Sequence, residues 1–395
     1  MLGVHVDLLK LGFVSLLTDL SSEMIFSVFA IFFTTIAGAS AALLGLVEGA
    51  ADFSASSLDY VAGWSSDSTG KRKLFALAGY SFSTLAKVIL LLTTSITGLS
   101  VFRVIERVGK SLRGPPRDAW LAAVADSSAR GYSFGVHKAL DKSGAILGPL
   151  IAYGLLSRLG DHAPTYRTLF WVALVPAAFS VLLLCFIKER PGIPHRRDSL
   201  FNTWKTLSVD FKRYLVTAGI FSLAYFSFGF LLLRAHDVGF AVKDIVLLYA
   251  LFNTAFVVSA PLIGQLGDWC GRGRSILLGY LVYGMMSLGF AFATTKWQII
   301  VLFIVYGIFY SIDEAQSKAF IADIELDRRA SAIGAYNFLT GLVYVPASLA
   351  AGVLWVISPA SAFLVAACLA LSAIVAFAIL RPDLHRESGG ILGQS

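Results

Sequence analysis

The sequence predicts an all-α membrane protein: twelve transmembrane helices arranged as two six-helix bundles. Three observations carry that prediction. The chain of 395 residues is 57% hydrophobic and only 14% charged, with a mean hydropathy of +0.75, whereas soluble domains run at roughly 45–50% apolar and about 25% charged. Twelve apolar stretches near the roughly 20 residues that cross a bilayer fall at 8–33, 42–64, 74–94, 97–124, 131–157, 168–188, 214–234, 243–267, 275–294, 298–322, 331–356 and 360–380. Finally, Gly63-Trp64-Ser65-Ser66-Asp67-Ser68-Thr69-Gly70-Lys71-Arg72-Lys73 returns 201 residues later as Gly264-Gln265-Leu266-Gly267-Asp268-Trp269-Cys270-Gly271-Arg272-Gly273-Arg274, each copy between two apolar stretches.

The shared G-x-x-x-D-x-x-G-[KR] pattern calls for a close helix contact at Gly63 and Gly264 and a fixed charge at Asp67 and Asp268. It also calls for a tight loop at Gly70 and Gly271, with cations such as Arg72 and Arg272 following. Weaker echoes pair Gly79-Tyr80 with Gly279-Tyr280, and Ala125-Asp126 and Arg130 with Ala322-Asp323 and Arg328. The longest polar stretch begins at Lys188 and carries Pro191 and Pro194, which stop helices. The organisation is therefore an N-terminal bundle over 1–188, a central loop over 189–213 and a C-terminal bundle over 214–395. Repeats of six spans are parallel and are related by an axis along the membrane normal.

Loop charge sets the orientation. Taking alternate loops, one side holds eighteen Lys and Arg residues and the other holds four, Arg158, Arg167, Lys243 and Lys296. The cation-rich side, with both termini and the central loop, is expected to be cytoplasmic. No cleavable signal peptide is expected, because the first apolar stretch is long and carries Asp19 and Glu23. Cys185, Cys270 and Cys368 suggest neither a disulfide framework nor a metal cluster, and no cofactor or metal is expected.

Taken span by span, charge concentrates in the first half. An ionisable group at the bilayer centre costs about 2.5–3.5 kcal/mol on insertion scales, so each should face protein or a wet cavity. Asp19 and Glu23 lie four apart in span 1 and share a face. Two acids so close cannot both remain charged cheaply in a low dielectric, which suits the exchange of a proton; Asp52 and Asp141 are further candidates for that role. In span 2, Glu48, Asp52 and Asp59 project within about 40° of one another. Span 3 adds Lys87. In span 4, Arg103, Glu106, Arg107, Lys110, Arg113, Arg117 and Asp118 project within an arc of about 140°, and Pro115-Pro116 should bend or break the helix. Span 5 adds His137, Lys138, Asp141 and Lys142. The second half offers Asp313, Glu314 and Lys318, with Tyr225, Phe228, Asn253, Asn337 and Tyr344 as further candidates for a cavity wall.

These charges divide by depth. Asp59, Arg113, Arg117 and Asp118, together with Asp67 and Arg72, lie near the cytoplasmic ends and fit structure or gating. Arg103 and Arg107, with Lys87 and Lys138 behind them, fit contact with a substrate or neutralisation of the acids, since guanidinium stays charged and grips a carboxylate with two hydrogen bonds. A fixed ion pair with Glu106 or Asp52 is the competing reading. The intramembrane charges nearly balance, which leaves the substrate's own charge open.

With these features the chain resembles the major facilitator superfamily. That family carries G-x-x-x-D-x-x-G-[RK] between helices 2 and 3 and often repeats it between helices 8 and 9. The resemblance covers nearly the whole chain. The helix-5 antiporter pattern G-x-x-x-G-P-x-x-G-G is met at Gly144, Gly148 and Pro149 and departs at Ala152 and Tyr153. The helix-4 pattern R-x-x-Q-G-x-G keeps Arg103 and Gly109 but has Glu106 and Arg107 inside it. Leu17-Thr18-Asp19-Leu20-Ser21-Ser22-Glu23-Met24 also looks like a bacterial efflux-type subgroup. The resemblance implies a secondary transporter working by alternating access, with contacts at Asp67 and Arg72 that form and break as it switches. Its expected form is a functional monomer in a bacterial cytoplasmic membrane, exporting a small organic molecule in exchange for protons. Proton-coupled uptake of an organic anion is the alternative, and a non-transporting receptor with the same fold is a third. Neither a Walker-type G-x-x-x-x-G-K-[ST] nor an H-E-x-x-H occurs, so ATP hydrolysis is not indicated and an intramembrane enzyme is not expected.

Overall fold

The computed structural model describes residues 6–124, 130–189, 207–325 and 329–382; the side-chain surroundings of Asp67, Gly264 and Asp268, and Asp126 and Arg328 of the weaker echo, lie outside the described residues. Thirteen α-helices account for almost all of it: α1 (Val6–Ile31, continued by a π turn over Phe32–Ile36), α2 (Ala41–Thr69), α3 (Arg72–Leu92), α4 (Ile96–Val124), α5 (Arg130–Leu159), α6 (Ala163–Cys185), α7 (Val209–Ala224), α8 (Gly229–Asp237), α9 (Val242–Cys270), α10 (Arg272–Phe292), α11 (Lys296–Ile324), α12 (Arg329–Ile357) and α13 (Pro359–Leu380). Helices α7 and α8 are two halves of one crossing, so twelve crossings result and both described ends share one face, called here the terminal face.

Local chemistry sets the ends. Ser40 and Ser208 cap α2 and α7 by accepting from the N–H of Leu43 and Phe211, each at 3.1 Å. Thr295 and Gln298 close a capping box at α11. The duplicated motif twice ends a helix on a glycine of positive φ, Gly70 (φ 68°) after α2 and Gly271 (φ 85°) after α9, where a side chain is strained.

Nine segments among the described residues, with α7 and α8 counted as one, have the length and hydropathy to cross a membrane on composition alone. Helices α2, α4 and α5 do not, because of their charges. At 29, 29 and 30 residues they are nonetheless long enough, since about 20 residues suffice. Several of their charges, among them Glu48, Arg103, Glu106, Arg113 and Asp141, are buried in the protein.

The halves repeat one arrangement. Helix α1 packs on α5 and α6 as α7 packs on α12 and α13, and α3 packs on α4 and α6 as α10 packs on α11 and α13. Small residues permit the closest crossings. A Cβ on Gly144 or Gly148 would run into the carbonyls of Leu16 and Leu20 on α1, and one on Gly79 would meet Gly109 and Arg113 on α4. Between the halves, Gly45 and Gly49 on α2 lie against Ser348 and Val345 on α12, while Gly341 and Gly352 return the contact to Ser56 and Ala41.

Two local expectations need correction. Pro115 and Pro116 do not break α4, which runs unbroken to Val124. The helix is pinned just before them, where Ser111 Oγ donates to the Ala55 carbonyl (2.8 Å) and Arg113 to Ser83 Oγ (2.5 Å), and after them by the fully buried Trp120. The break falls instead in the seventh crossing, at Tyr225–Phe228. There Ser227 supplies its carbonyl to the Phe230 N–H (3.1 Å) and its Oγ to the Gly229 N–H (3.2 Å), and Tyr283 donates to the freed Ala224 carbonyl (2.8 Å). Helix α7 also starts at Val209, inside the segment read as central loop.

Candidate functional site

A cavity of about 420 Å³ lies between the halves near mid-membrane, within the size range of small-molecule sites. One wall comes from α1, α2, α4 and α5 and carries Glu23, Phe26, Asp52, Ser56, Arg107, Lys110 and Lys142. The other comes from α9, α11 and α12 and the 225–228 break. It carries Tyr225, Phe228, Tyr249, Phe252, Asn253, Tyr306, Tyr310, Asp313, Glu314, Lys318, Tyr336, Asn337, Thr340 and Tyr344.

Behind the first wall sits a dry ion network. Arg103 grips Glu48 with two hydrogen bonds, Nε to Oε1 and Nη2 to Oε2, both 2.6 Å, and its Nη1 lies 3.6 Å from Glu106 Oε2. Lys87, fully buried, donates to Ser22 Oγ (3.2 Å), which donates to Glu106 Oε1 (3.2 Å). One turn along, Arg107 meets Asp52 at 3.0 Å, and both guanidiniums stack over Phe26, at 4.3 and 5.8 Å from the ring centre. Helices α2 and α4 run parallel, so acids at 48 and 52 meet arginines at 103 and 107 in register. Toward the terminal face Arg117 reaches Asp118 (3.0 Å), Ser15 (3.1 Å) and Asp141 (3.5 Å), while His137 shares Ser15 Oγ at 3.0 Å.

The second wall is built of rings. The aromatics of the break in the seventh crossing face different neighbours. Tyr225 packs on Tyr283, Phe309 and Tyr344; Phe226 on Phe230 and Phe363; and Phe228 on Tyr249, Phe252, Phe303 and Tyr306. The Tyr225 and Tyr306 hydroxyls bond at 3.0 Å.

The halves touch through polar groups at both ends of the cavity. At the end away from the terminal face, the Tyr249 hydroxyl donates to Glu23 Oε2 and Ser227 Oγ donates to Glu48 Oε2 at 3.3 Å; Glu23, Glu48 and Ser227 are all buried, and Gly229 presses on Ala30 of α1. At the other end the crossing pair is Lys138–Glu314 at 3.7 Å, with Lys138 54% and Glu314 33% exposed.

Several sequence candidates therefore line the cavity: Glu23, Asp52, Arg107, Lys110, Tyr225, Phe228, Asn253, Asp313, Glu314, Asn337 and Tyr344. Glu48, Lys87, Arg103 and Glu106, expected at the cavity, are seated behind its wall in the ion network. Asp19 is buried without a hydrogen bond or ion pair among the described residues, Asp141 pairs with Arg117, and Lys138 reaches the cavity only through Glu314. Gly144 and Gly148 serve the α1–α5 crossing, and Gly63 is buried on α2. Arg272 pairs with Asp323 at 3.2 Å. Sequence reasoning missed Phe26, Tyr249, Phe252, Tyr306, Tyr310, Tyr336 and Thr340. A signal existed in α11, where Tyr306, Tyr310, Asp313 and Ser317 recur at the helical spacing of one face.

Comparison with known proteins agrees with this architecture. The family model described as Major Facilitator Superfamily matches residues 11–295 and 214–394. An uncharacterised MFS-type transporter of Methanocaldococcus jannaschii is 35% identical over 368 residues, covering 91% of each chain. A multidrug resistance protein, MdtG of Serratia proteamaculans, is 27% identical over 203 residues, 49% of this chain and 48% of its own. Among solved structures, a variant of the nucleoside transporter NupG superposes with a TM-score of 0.81 at 12% identity, covering 95% of this chain and 99% of that one; at that identity the likeness speaks for the fold alone. The chain belongs to the Major Facilitator Superfamily, and is a multi-pass membrane transporter rather than an enzyme.

Proposed function

We propose that the protein is an alternating-access secondary transporter that exports a small organic molecule in exchange for protons, with its terminal face in the cytoplasm. The single observation that carries this reading is the hydrogen bond from Tyr249 to Glu23, a buried carboxylate of one half held by a hydroxyl of the other beside the cavity. An ionised carboxylate makes a charge-assisted bond that a neutral acid does not match. Proton binding at Glu23 thus weakens one link between the halves and favours their separation on that side. Asp52 lines the same cavity, and Asp19 stands unpaired one turn away, so a proton has neighbouring acids to occupy.

The orientation rests on loop charge, eighteen cations against four. With the terminal face inward, the state described is open to the cytoplasm, because the lining residue Lys318 is 52% exposed at that end while Glu23 at the other is 8% exposed. Efflux draws support from the half-length similarity to a multidrug resistance protein. Inward symport of an organic anion is the second reading, favoured by the lysines of the cavity.

The test is proton flux in liposomes containing the purified protein, on addition of a panel of organic acids, amines and dyes. An evoked flux that disappears in Glu23→Gln is expected, and its sign separates antiport from symport. Flux of wild-type size in Glu23→Gln, Asp19→Asn and Asp52→Asn alike would remove proton coupling from these acids.

A further inference from the structure

We infer that the lysines gathered around Glu314 form an anion subsite, and that the transported molecule is an organic anion with an aromatic body. The inference rests on the transporter reading above and holds for either direction of movement. Two ammonium groups pair with one carboxylate, and two more line the cavity from α4 and α5. Lys138 and Lys318 lie 3.7 and 3.8 Å from Glu314 Oε1. Lys110, Lys142, Lys318 and Glu314 all line the cavity.

The remaining cavity charges already have neighbours. Arg107 holds Asp52, Glu23 takes the Tyr249 hydroxyl, and Asp313 takes Ser317 Oγ at 3.4 Å. Lys110 has no hydrogen bond or ion pair among the described residues, and the Lys142 ammonium lies over the Phe256 ring, 4.7 Å from its centre. The cavity as a whole balances four acids, Glu23, Asp52, Asp313 and Glu314, against four bases, Arg107, Lys110, Lys142 and Lys318. Within it Lys138 and Lys318 share Glu314, whereas Lys110 and Lys142 line the cavity without an ion pair among the described residues. A carboxylate, sulfonate or phosphate there supplies the missing counter-charge, and the tyrosine wall beside it offers ring faces for a flat apolar body.

The subsite also has a place in the cycle. Three of the lysines belong to the first half, and Lys318 belongs to the second. Closing the terminal face brings these like charges together, and a bound anion neutralises them, so closure with anion is favoured over closure without it.

The experiment is isothermal titration of the purified full chain with 2-naphthoate, 2-naphthyl phosphate, 2-naphthylmethanol and 2-naphthylmethylammonium, which share one ring system and differ in charge. The two anions are expected to bind about tenfold more tightly than the alcohol or the cation, and Lys110→Gln/Lys142→Gln to erase that preference. Preference for the cation, equal affinity across the series, no binding by either anion, or an anion preference intact in the double variant overturns the inference. The wild-type series stands by itself if the double variant does not fold. Alternating access is read separately, by labelling Asn337→Cys with a membrane-impermeant maleimide from each face in a protein lacking Cys185, Cys270 and Cys368. Labelling from both faces with no anion preference refutes the anion subsite and leaves the transporter reading standing; labelling from one face only refutes the transporter reading.

Discussion

The first six helices and the last seven share one arrangement and fill it with opposite chemistry. In the first half, α2, α3 and α4 bury Glu48, Lys87, Arg103 and Glu106 in one network that Ser22 of α1 joins, and small residues bring the backbones together. In the second, the corresponding space holds stacked rings, among them Phe221 on Tyr280 at 4.0 Å and Tyr214 on Tyr336 at 6.0 Å. Ion pairs are directional and lose much when one partner goes; ring packing is forgiving and adapts to shape. The contrast predicts that the charged half is the rigid partner and that the aromatic half, with its break at Tyr225–Phe228, is the one that reshapes around a ligand.

That contrast can be broken at its strongest point. Arg103→Ala leaves Glu48 buried without its ion pair and Glu106 with Lys87 alone, through Ser22, and unfolding in detergent should show a loss of about 3–5 kcal/mol. The paired change Arg103→Met with Glu48→Leu should recover most of it, and failure to recover would mean that the network does more than satisfy itself. Tyr249→Phe removes the hydroxyl that reaches Glu23 and should cost about 1.5–3 kcal/mol; with it, labelling of Asn337→Cys from the face opposite the termini should rise. Among the rings, Tyr306→Phe keeps the packing and deletes one 3.0 Å bond to Tyr225, so a loss near 1 kcal/mol is expected. A much larger loss would show that the aromatic half is as rigid as the charged one. Lys138→Ala breaks only a half-exposed pair and should change stability by under about 1 kcal/mol, a result that thermal unfolding can check directly.

Legibility differed between the two halves as well. The acids at 48 and 52 and the arginines at 103 and 107 were visible as stripes at helical spacing, because charge is rare in a membrane span. Pairing of the arginines with Glu106 or Asp52 was one of the readings the stripes allowed, and both pairs form; the grip of Arg103 on Glu48, which seats Glu48, Lys87, Arg103 and Glu106 behind the cavity wall, was not visible. In the second half, 30 Phe and 14 Tyr along the chain drown any single ring in its own kind. Tyr249, the hydroxyl that joins the halves, carried no mark in the sequence. Nor did the break at 225–228, which depends on Ser227 and on Tyr283 from another helix taking up the freed backbone groups.

The sequence by itself determined the number of crossings, their positions to within a few residues, the duplicated turn at Gly70 and Gly271, and the concentration of charge in the first half. Each is a local property, since hydropathy over about 20 residues decides insertion and a glycine's freedom of φ decides a turn. Only the tertiary structure decided which charges face the cavity, where the seventh crossing breaks, and that Glu23 and Glu314 stand at opposite ends of the space between the halves. Those are properties of contact between segments hundreds of residues apart, and no spacing along a chain encodes which of several equally charged faces its neighbour will present.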